Sequence, residues 1–200
     1  MITLDSGKPC ITLTKVCRLL SLILESLSGN ETFLKIPIIR QRTNYSCGAA
    51  SLLAVLRFFN AYKGNEVGLY GKLRISKEDG TSPDSIVRVA KQYGLQAKVK
   101  ENLSIYDLHK LLDKKIAVIL DIQAWKTRQN KSYARDYRDG HYVVLIGIQK
   151  GMVYLMDPSL DRRYGYLPIG QLMDRWHDQE STKKYMRTGI LISNDRKKQL

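Results

Sequence analysis

Hydrophobic positions in the first half of the chain recur mainly at helical spacing. Segment 15–28 has its apolar residues on one face, which predicts an amphipathic helix. The short segment 33–39 is predicted to be extended, with Pro37 indicating an edge. A polar loop follows, and an apolar run then predicts a helix from about 47 to 60. The glycine-rich segment 61–81 is predicted to be irregular.

Strand patterns dominate the second half of the chain. Ser82, Pro83 and Gly94 predict the start and the stop of one helix, and Ser104 with Asp107 predicts a capping pattern on the next. Strands are predicted at 95–100, 116–123, 141–148, 152–157 and 187–194, and a short helix at 167–176. Because helices come first and strands cluster late, we expect an α+β fold with a helical portion against an antiparallel sheet.

Composition and charge limit the classes of partner. The chain has 200 residues, of which 44% are hydrophobic, so one globular domain is expected. No apolar stretch reaches the ~20 residues of a membrane span. The formal net charge is +14, with basic residues densest at 126–138, 182–187 and the tail. No nucleic-acid-binding motif accompanies this charge, so we expect no nucleic-acid partner. A solvated basic surface and attraction of an acidic peptide both remain open.

The three cysteines, Cys10, Cys17 and Cys47, form an odd and sparse set without a CxxC pair. This argues against a disulfide framework and against a thiolate metal site. A reducing compartment, and therefore a cytoplasmic location, is the simpler expectation. The alternative is export through a weak signal peptide at 16–29, although Glu25 interrupts that apolar segment.

Cys47 stands where the polar loop turns into the helix, in "SCGAASLLAVLRFF". A helix N-terminus presents unpaired N–H groups and a partial positive charge, which favour a thiolate. The two small residues that follow leave the thiol open to approach. A buried structural cysteine is the alternative interpretation.

His141 begins the most apolar strand and can project from the end of a sheet, whereas His109 and His177 are predicted to be superficial. If the next turn has three residues with Gly151 left-handed, Asp157 lies diagonally opposite His141, about 7–8 Å away at the backbone. A two-residue turn would put Asp157 on the other face. Asp157 could equally form an ordinary Asx turn in "MDPS".

Gln41 lies six residues before Cys47, in the polar loop. A loop glutamine can donate an amide N–H beside the backbone N–H of the cysteine and so form an oxyanion hole. Taken alone, this is a weak indication.

Gln41, "CGAA", "GHYVVLIGI" and "MDPS", in this order, resemble the papain-like peptidases that cut double-glycine leaders from bacteriocins, including stand-alone bacterial members. The resemblance spans about 36 to 195. It implies a papain-like α+β fold, in which a helical lobe carrying the nucleophile packs on an antiparallel sheet lobe. It implies a cysteine peptidase with Cys47 as nucleophile, His141 as base and acid, Asp157 as orienter and Gln41 as oxyanion donor. It implies no metal and no cofactor.

The resemblance also sets expectations about organisation. Residues 1–35 are an N-terminal extension, 36–195 the peptidase domain and 196–200 a basic tail. The exporter peptidases usually have an acidic residue where this chain has Ser46, and commonly a cysteine where it has Ser51. No transmembrane exporter follows the domain, so a separate ABC exporter is a candidate partner, and the preference for Gly-Gly stays open.

Two other functions fit the same residues. A thiol paired with an imidazole serves any acyl transfer, so an acyl transferase or a transglutaminase-like enzyme is one alternative. A peptide-binding homologue that keeps the fold without the chemistry is the other. The residues needed for catalysis are present at all four reactive positions of the motif, which argues against the peptide-binding homologue.

Overall fold

The computed structural model describes residues 32–78, 80–125, 132–180 and 183–194. The helix predicted at 15–28, the alternative signal peptide at 16–29 and the basic tail all lie outside these ranges. The described elements, in chain order, are α1 (Cys47–Phe58), α2 (Val67–Leu73), α3 (Pro83–Gln92), β1 (Gln96–Lys100), α4 (Ile105–Asp113), β2 (Ala117–Gln123), a 3-10 helix (Tyr133–Arg135), β3 (Gly140–Gln149), β4 (Met152–Met156), β5 (Gly165–Pro168), α5 (Ile169–Arg175), β6 (His177–Glu180), β7 (Lys183–Met186) and β8 (Gly189–Ser193).

Six strands form an antiparallel sheet in the order β1-β8-β2-β3-β4-β5, and β6 pairs with β7 in a small second sheet. Every residue of β2 and nearly every residue of β3 is buried, which fits their position at the centre of the larger sheet. The α+β prediction is confirmed: three helices precede or flank the first strand, and the sheet is built mostly from the later part of the chain.

Helix α1 is the central helix of the fold. Every residue from Gly48 to Leu56 is buried, so the helix is enclosed on all sides rather than amphipathic. It packs against β3 and also contacts α2, α3 and β2. This packing fixes the first residue of α1, Cys47, relative to the start of β3.

The predicted caps are present on the helices that flank the sheet. The Ser82 hydroxyl accepts a hydrogen bond from the Ser85 N–H, with Pro83 in the first turn of α3. Ser104 and Asp107 form a reciprocal capping box on α4. The prediction that 61–81 is wholly irregular is wrong, because α2 lies within it. Leu69 and Leu73, one turn apart, are both buried and anchor this helix despite its two glycines.

Segment 33–39, which is predicted to be extended, is not one of the strands of the sheet. Leu34 and Ile36 are buried, and the Leu34 N–H donates to the Ile146 carbonyl over 2.8 Å. Pro37 has no N–H to donate, which prevents a continuous ladder. The segment therefore packs along the sheet through its side chains rather than as a paired strand.

The β3–β4 hairpin differs from the predicted one in two ways. Its turn has two residues, Lys150 and Gly151, both with positive φ (49° and 76°), so Gln149 rather than Ile148 pairs with Met152. A β-bulge between Leu145 and Gly147 then shifts the register by one residue. The two differences cancel, because the extra residue on β3 returns the strand end to the predicted register.

Beyond the bulge, Val144 pairs with Met156, so Asp157 follows directly opposite Val143. His141 and Val143 share one face of β3 because side chains alternate along a strand. Asp157 therefore lies on the same face as His141. None of the helices in the described part of the chain is long and apolar enough to span a membrane.

Candidate active site

Cys47 is the first residue of α1 and is partly exposed. The preceding residue, Ser46, is fully buried, and its hydroxyl accepts from the Thr43 N–H and donates to the Thr43 carbonyl. These bonds fix the polar loop where it enters the helix. The next residue, Gly48, has no room for a larger side chain, because a Cβ there would lie 3.2 Å from carbons of Thr81 and Tyr142. The thiol thus stands at the helix start, as predicted.

The His141 ring lies between the Cys47 side chain and the Asp157 carboxylate. Its Nε2 is 2.8 Å from Asp157 Oδ1, and the Cys47 side chain is close enough to raise the pKa of the ring. Since Nε2 is engaged by Asp157, Nδ1 is the ring nitrogen that faces the thiol. Only 1% of His141 is exposed. The structure therefore brings together three of the four residues singled out in the sequence.

The two ionisable partners of this pair shift each other's pKa. Burial alone would lower the pKa of His141, but the hydrogen bonds to Asp157 and Cys47 and the charges of both groups raise it to about 9. Burial alone would raise the pKa of Asp157, but hydrogen bonds from His141 and Ser159 and the charge of His141 hold it below its usual value. Both shifts favour an imidazolium paired with the Asp157 carboxylate at neutral pH.

Asp157 also forms the Asx turn that is the alternative interpretation of "MDPS" in the sequence. Its Oδ1 accepts from the Ser159 N–H over 2.8 Å and from the Ser159 hydroxyl over 2.7 Å. The same oxygen faces His141 Nε2, so three hydrogen bonds converge on one atom. The turn thus fixes the carboxylate in the orientation that the histidine requires. Ser159 was not singled out in the sequence, and "DPS" is the signal that could have indicated it.

Gln41 lies beside the Asp157 turn, because its backbone N–H donates to the Pro158 carbonyl over 2.9 Å. Its side-chain amide donates to the Thr43 carbonyl over 2.7 Å, and its Oε1 is buried without a partner within the described ranges of the chain. The amide nitrogen carries a second hydrogen. Gln41 is therefore held by the Asp157 turn through its main chain and by the loop before Cys47 through its side chain.

Two more residues support the site and were missed in the sequence. The Trp125 ring lies 4.9 Å from the His141 ring, centroid to centroid, and covers it from the solvent side while remaining 47% exposed. The buried Ser51 hydroxyl donates to the Tyr142 carbonyl over 3.1 Å and so joins α1 to β3. Neither residue stands in a local pattern that indicates its role.

The other two histidines lie outside this constellation. His109, on α4, is half-buried, in keeping with its predicted surface position. The expectation that His177 is superficial is wrong: it is 4% exposed, and its Nε2 is 2.8 Å from the Asp136 carbonyl. The Tyr137 ring stacks on it at 4.7 Å. His177 is therefore a buried residue whose ring nitrogen has a hydrogen-bond partner. It is buried because β6, which was not predicted, packs it beneath the segment after the 3-10 helix.

The basic segment 126–138 is described only in part. Residues 126–131 lie outside the described ranges. Arg135 ends the 3-10 helix, and Arg138 forms an ion pair with Asp136 at 3.6 Å while lining a cavity beside Cys47. The C-terminal end of the basic segment therefore lies near the cavity beside Cys47.

Solved structures share this fold. A double glycine motif protease from an AMS/PCAT transporter, solved with its leader peptide, is 23% identical with a TM-score of 0.55, covering 80% of this chain and 92% of that one. A C39-like peptidase from Bacillus anthracis is 18% identical with a TM-score of 0.60, covering 82% and 98%. The peptidase domain of Streptococcus ComA, a bifunctional ABC transporter, is 16% identical with a TM-score of 0.57, covering 80% and 99%. At these identities the similarity shows the fold.

The sequence itself identifies the family. No curated protein sequence matches the chain significantly. Residues 33–184 match the sequence profile of the Peptidase_C39 like family, a span that includes Gln41, Cys47, His141 and Asp157. This match covers well over half of the chain. The protein therefore belongs to the Peptidase_C39 like family and is a cysteine-type peptidase of papain-like fold.

Proposed function

We propose that Cys47, His141 and Asp157 form a catalytic triad that hydrolyses a peptide bond, with Gln41 as an oxyanion donor. The observation that carries the proposal is the position of the His141 ring, which contacts Asp157 Oδ1 through Nε2 and lies close enough to the Cys47 side chain for Cys47 to raise its pKa. A nucleophile, a base and a group that orients the base are the parts that covalent acyl transfer needs.

The first half of the reaction forms a thioester. The Cys47 thiolate attacks the carbonyl carbon, and the C–S bond forms as the carbonyl oxygen becomes an oxyanion. The backbone N–H of Cys47, at the start of α1, and the second N–H of the Gln41 amide are the donors proposed for that oxygen. The C–N bond then breaks, and the His141 imidazolium gives its proton to the leaving amine.

The second half regenerates the enzyme. Neutral His141 takes a proton from a water molecule, whose oxygen attacks the thioester carbon. The C–O bond forms, the C–S bond breaks, and a carboxylic acid leaves the thiolate beside an imidazolium. Asp157 keeps the ring in place through both steps, because its Oδ1 is fixed by Ser159.

The proposed substrate is a peptide with a double-glycine leader, delivered to or from a separate ABC exporter. The support is the similarity in fold to a double glycine motif protease and to the peptidase domain of an ABC transporter. Ser46 and Ser51, which replace residues usual in exporter peptidases, leave the described contacts around Cys47 and His141 complete. Because the mechanism needs a reduced thiol, a reducing compartment such as the cytoplasm is the proposed location.

Mass spectrometry of products from a peptide library, with and without Gly-Gly, tests the proposal. In water enriched in oxygen-18, hydrolysis places the heavy atom in the new C-terminal carboxylate. Wild type should produce such products, and Cys47→Ala should produce none. Cys10→Ala/Cys17→Ala serves as the control, because it keeps only the proposed nucleophile.

The same experiment separates the alternatives. Transfer of the acyl group to an added amine, with no labelled carboxylate, would identify an acyl transferase. Peptide binding without any Cys47-dependent product would identify a binding homologue. Equal cleavage of peptides with and without Gly-Gly would refute the double-glycine specificity and leave the peptidase activity standing.

A further inference from the structure

A cavity of about 290 Å³ opens beside Cys47 on the side where β2 meets β6. Its lining includes Cys47 itself and Tyr142, which lies opposite Asp121 in the β2–β3 ladder. Tyr142 follows His141 on β3, so the two side chains leave the strand on opposite faces. The cavity is therefore next to the nucleophile and is separate from the side where Asp157 and Trp125 flank His141.

The inner wall of this cavity carries two carboxyl groups. Asp121, on β2, is 3% exposed, and Asp178, on β6, is half-buried; burial raises the pKa of the Asp178 carboxyl group, and Asp121 is among the neighbours that oppose this shift. The buried Gln123 amide donates to Asp178 Oδ1 over 2.8 Å and to the His177 carbonyl over 3.1 Å. Buried carboxyl groups are costly unless they are paired or meet a cation. This pair is held rigidly at the cavity wall.

A second polar group lines the same cavity without a partner. Thr81 is 7% exposed, and its hydroxyl oxygen is buried with no hydrogen bond among the described residues. A buried hydroxyl without a partner costs free energy that a bound N–H donor recovers. Carbon atoms of the Thr81 side chain also lie close to the position that a Cβ at Gly48 would occupy. Gly48 directly follows the nucleophile in the sequence.

The backbone makes room for the carboxyl pair. A Cβ at Gly140 would clash with the Asp178 carboxylate. The glycine before His141 therefore leaves the space that the Asp178 carboxylate occupies at the cavity wall. The cavity is thus built by β2, β3 and β6 together, rather than being an accidental group of surface acids.

Basic residues are confined to the mouth of the cavity. Arg138 is ion-paired with Asp136, and Lys77 stands beside Glu78 on an exposed loop. The charges at the mouth therefore offset each other, whereas the inner wall presents Asp121 and Asp178. The local charge is opposite in sign to the net charge of +14.

We propose that this cavity binds a cationic side chain of the peptide substrate, an arginine or a lysine close to the scissile bond. The inference rests on the proposed peptide hydrolysis at Cys47, because the cavity shares that residue. A guanidinium or an ammonium donates hydrogen bonds only, which suits two carboxyl groups and an unpaired hydroxyl oxygen.

A protection experiment tests the cavity without requiring hydrolysis. Cys47 is alkylated with iodoacetamide in the Cys10→Ala/Cys17→Ala background, in the presence of Nα-acetyl-arginine amide or its neutral counterpart, Nα-acetyl-citrulline amide. The arginine compound at about 20 mM should slow alkylation roughly threefold, as expected for a dissociation constant of about 10 mM, and the citrulline compound should not.

Variants then assign the effect to the carboxyl groups. Asp178→Asn keeps an oxygen for the Gln123 hydrogen bond, so the fold is retained while a charge is lost. It should abolish the protection, as should Asp121→Asn/Asp178→Asn. Asp174→Asn, an exposed change of the same charge on α5, should leave it intact. Equal protection by both compounds, no protection, or protection that persists in Asp178→Asn would overturn the proposal.

Peptide cleavage supplies the second measurement. Among peptides that are hydrolysed, exchange of arginine for citrulline directly after the cleaved bond, outside the Gly-Gly pair, should lower kcat/KM on the order of tenfold in wild type. The same exchange should have little effect in Asp178→Asn. Hydrolysis with no such preference refutes the cation site and leaves the peptidase intact. Selective protection of Cys47 without any hydrolysis refutes the peptidase reaction and leaves the site.

Discussion

The Ser51 hydroxyl donates a hydrogen bond to the Tyr142 carbonyl oxygen over 3.1 Å, and both groups are buried. Ser51 lies one helical turn after Cys47, and Tyr142 directly follows His141. The bond therefore ties the helix of the proposed nucleophile to the strand of the proposed base. It sets the distance between the two residues whose geometry matters most for the reaction.

Ser51→Ala should remove this link. We expect a loss of stability of about 1 kcal/mol and a fall in kcat of roughly threefold to tenfold with KM nearly unchanged. Ser193→Ala is the matched control, because Ser193 is equally buried and its hydroxyl has no partner in the part of the chain that the structure describes. That control should not destabilise the protein. Denaturant unfolding and steady-state kinetics measure both quantities, and parallel behaviour of the two variants would contradict a positioning role for Ser51.

The basic segment 126–138 makes a prediction about substrate capture. Replacing Lys126, Arg128 and Lys131 with glutamine should raise KM for an acidic leader peptide and leave kcat nearly unchanged. The effect should fade with added salt, since charges are screened beyond ~8 Å at physiological ionic strength. The control replaces three exposed lysines elsewhere, Lys63, Lys91 and Lys114. An unchanged KM in the first variant, or the same rise in both, would show that the charge is a solvated surface.

Replacement of glycine by alanine should have opposite effects on stability at Gly140 and at Gly170. Gly140→Ala would push a methyl group into the Asp178 carboxylate beside His141, so stability and kcat/KM should both fall. Gly170, on α5, has open space around its Cα, and alanine there should stabilise the helix by up to about 1 kcal/mol. Thermal unfolding compares the two variants. A neutral Gly140→Ala would show that Asp178 can move away without cost.

Local patterns indicated the helices with caps and the central strands, because capping and periodicity act within a few residues. The position of Asp157 opposite Val143 was predicted from a three-residue turn that does not exist. The bulge that restores this register has the Ile146 carbonyl bound by the Leu34 N–H, a contact distant in sequence. Gly147, an isolated glycine within this apolar strand, is the local feature that could have indicated the bulge.

The features that the sequence did not predict also depend on contacts between residues distant in sequence. The β6–β7 pair buries His177 and brings Asp178 against Asp121, and this depends on packing between separate segments. Trp125 and Ser51 likewise act through contacts with β3. Residue types and spacing could indicate the proposed chemistry, whereas the walls of the cleft depend on the tertiary fold.

The pH dependence of activity should report the His141–Asp157 pair. The raised pKa of His141, about 9, keeps the imidazolium present well above the ordinary value of 6.5. The pair therefore contributes its full stability below about pH 6.5 and loses it as the pH rises through 9. On the acid side, the lowered pKa of Asp157 means that its contribution is lost only as the pH falls below the usual carboxyl range. We expect kcat/KM to decline with an alkaline limb near pH 9.

Asp157→Asn separates charge from orientation. An asparagine oxygen can still accept from His141 Nε2 and Ser159, so activity should survive at a reduced level. The negative charge is gone, so the alkaline limb should move to lower pH. His141→Ala should remove activity by several orders of magnitude, whereas His109→Ala should behave as wild type. Profiles of kcat/KM from pH 5 to 10 measure these effects, and an alkaline limb that does not move in Asp157→Asn would show that this carboxylate does not set the protonation of His141.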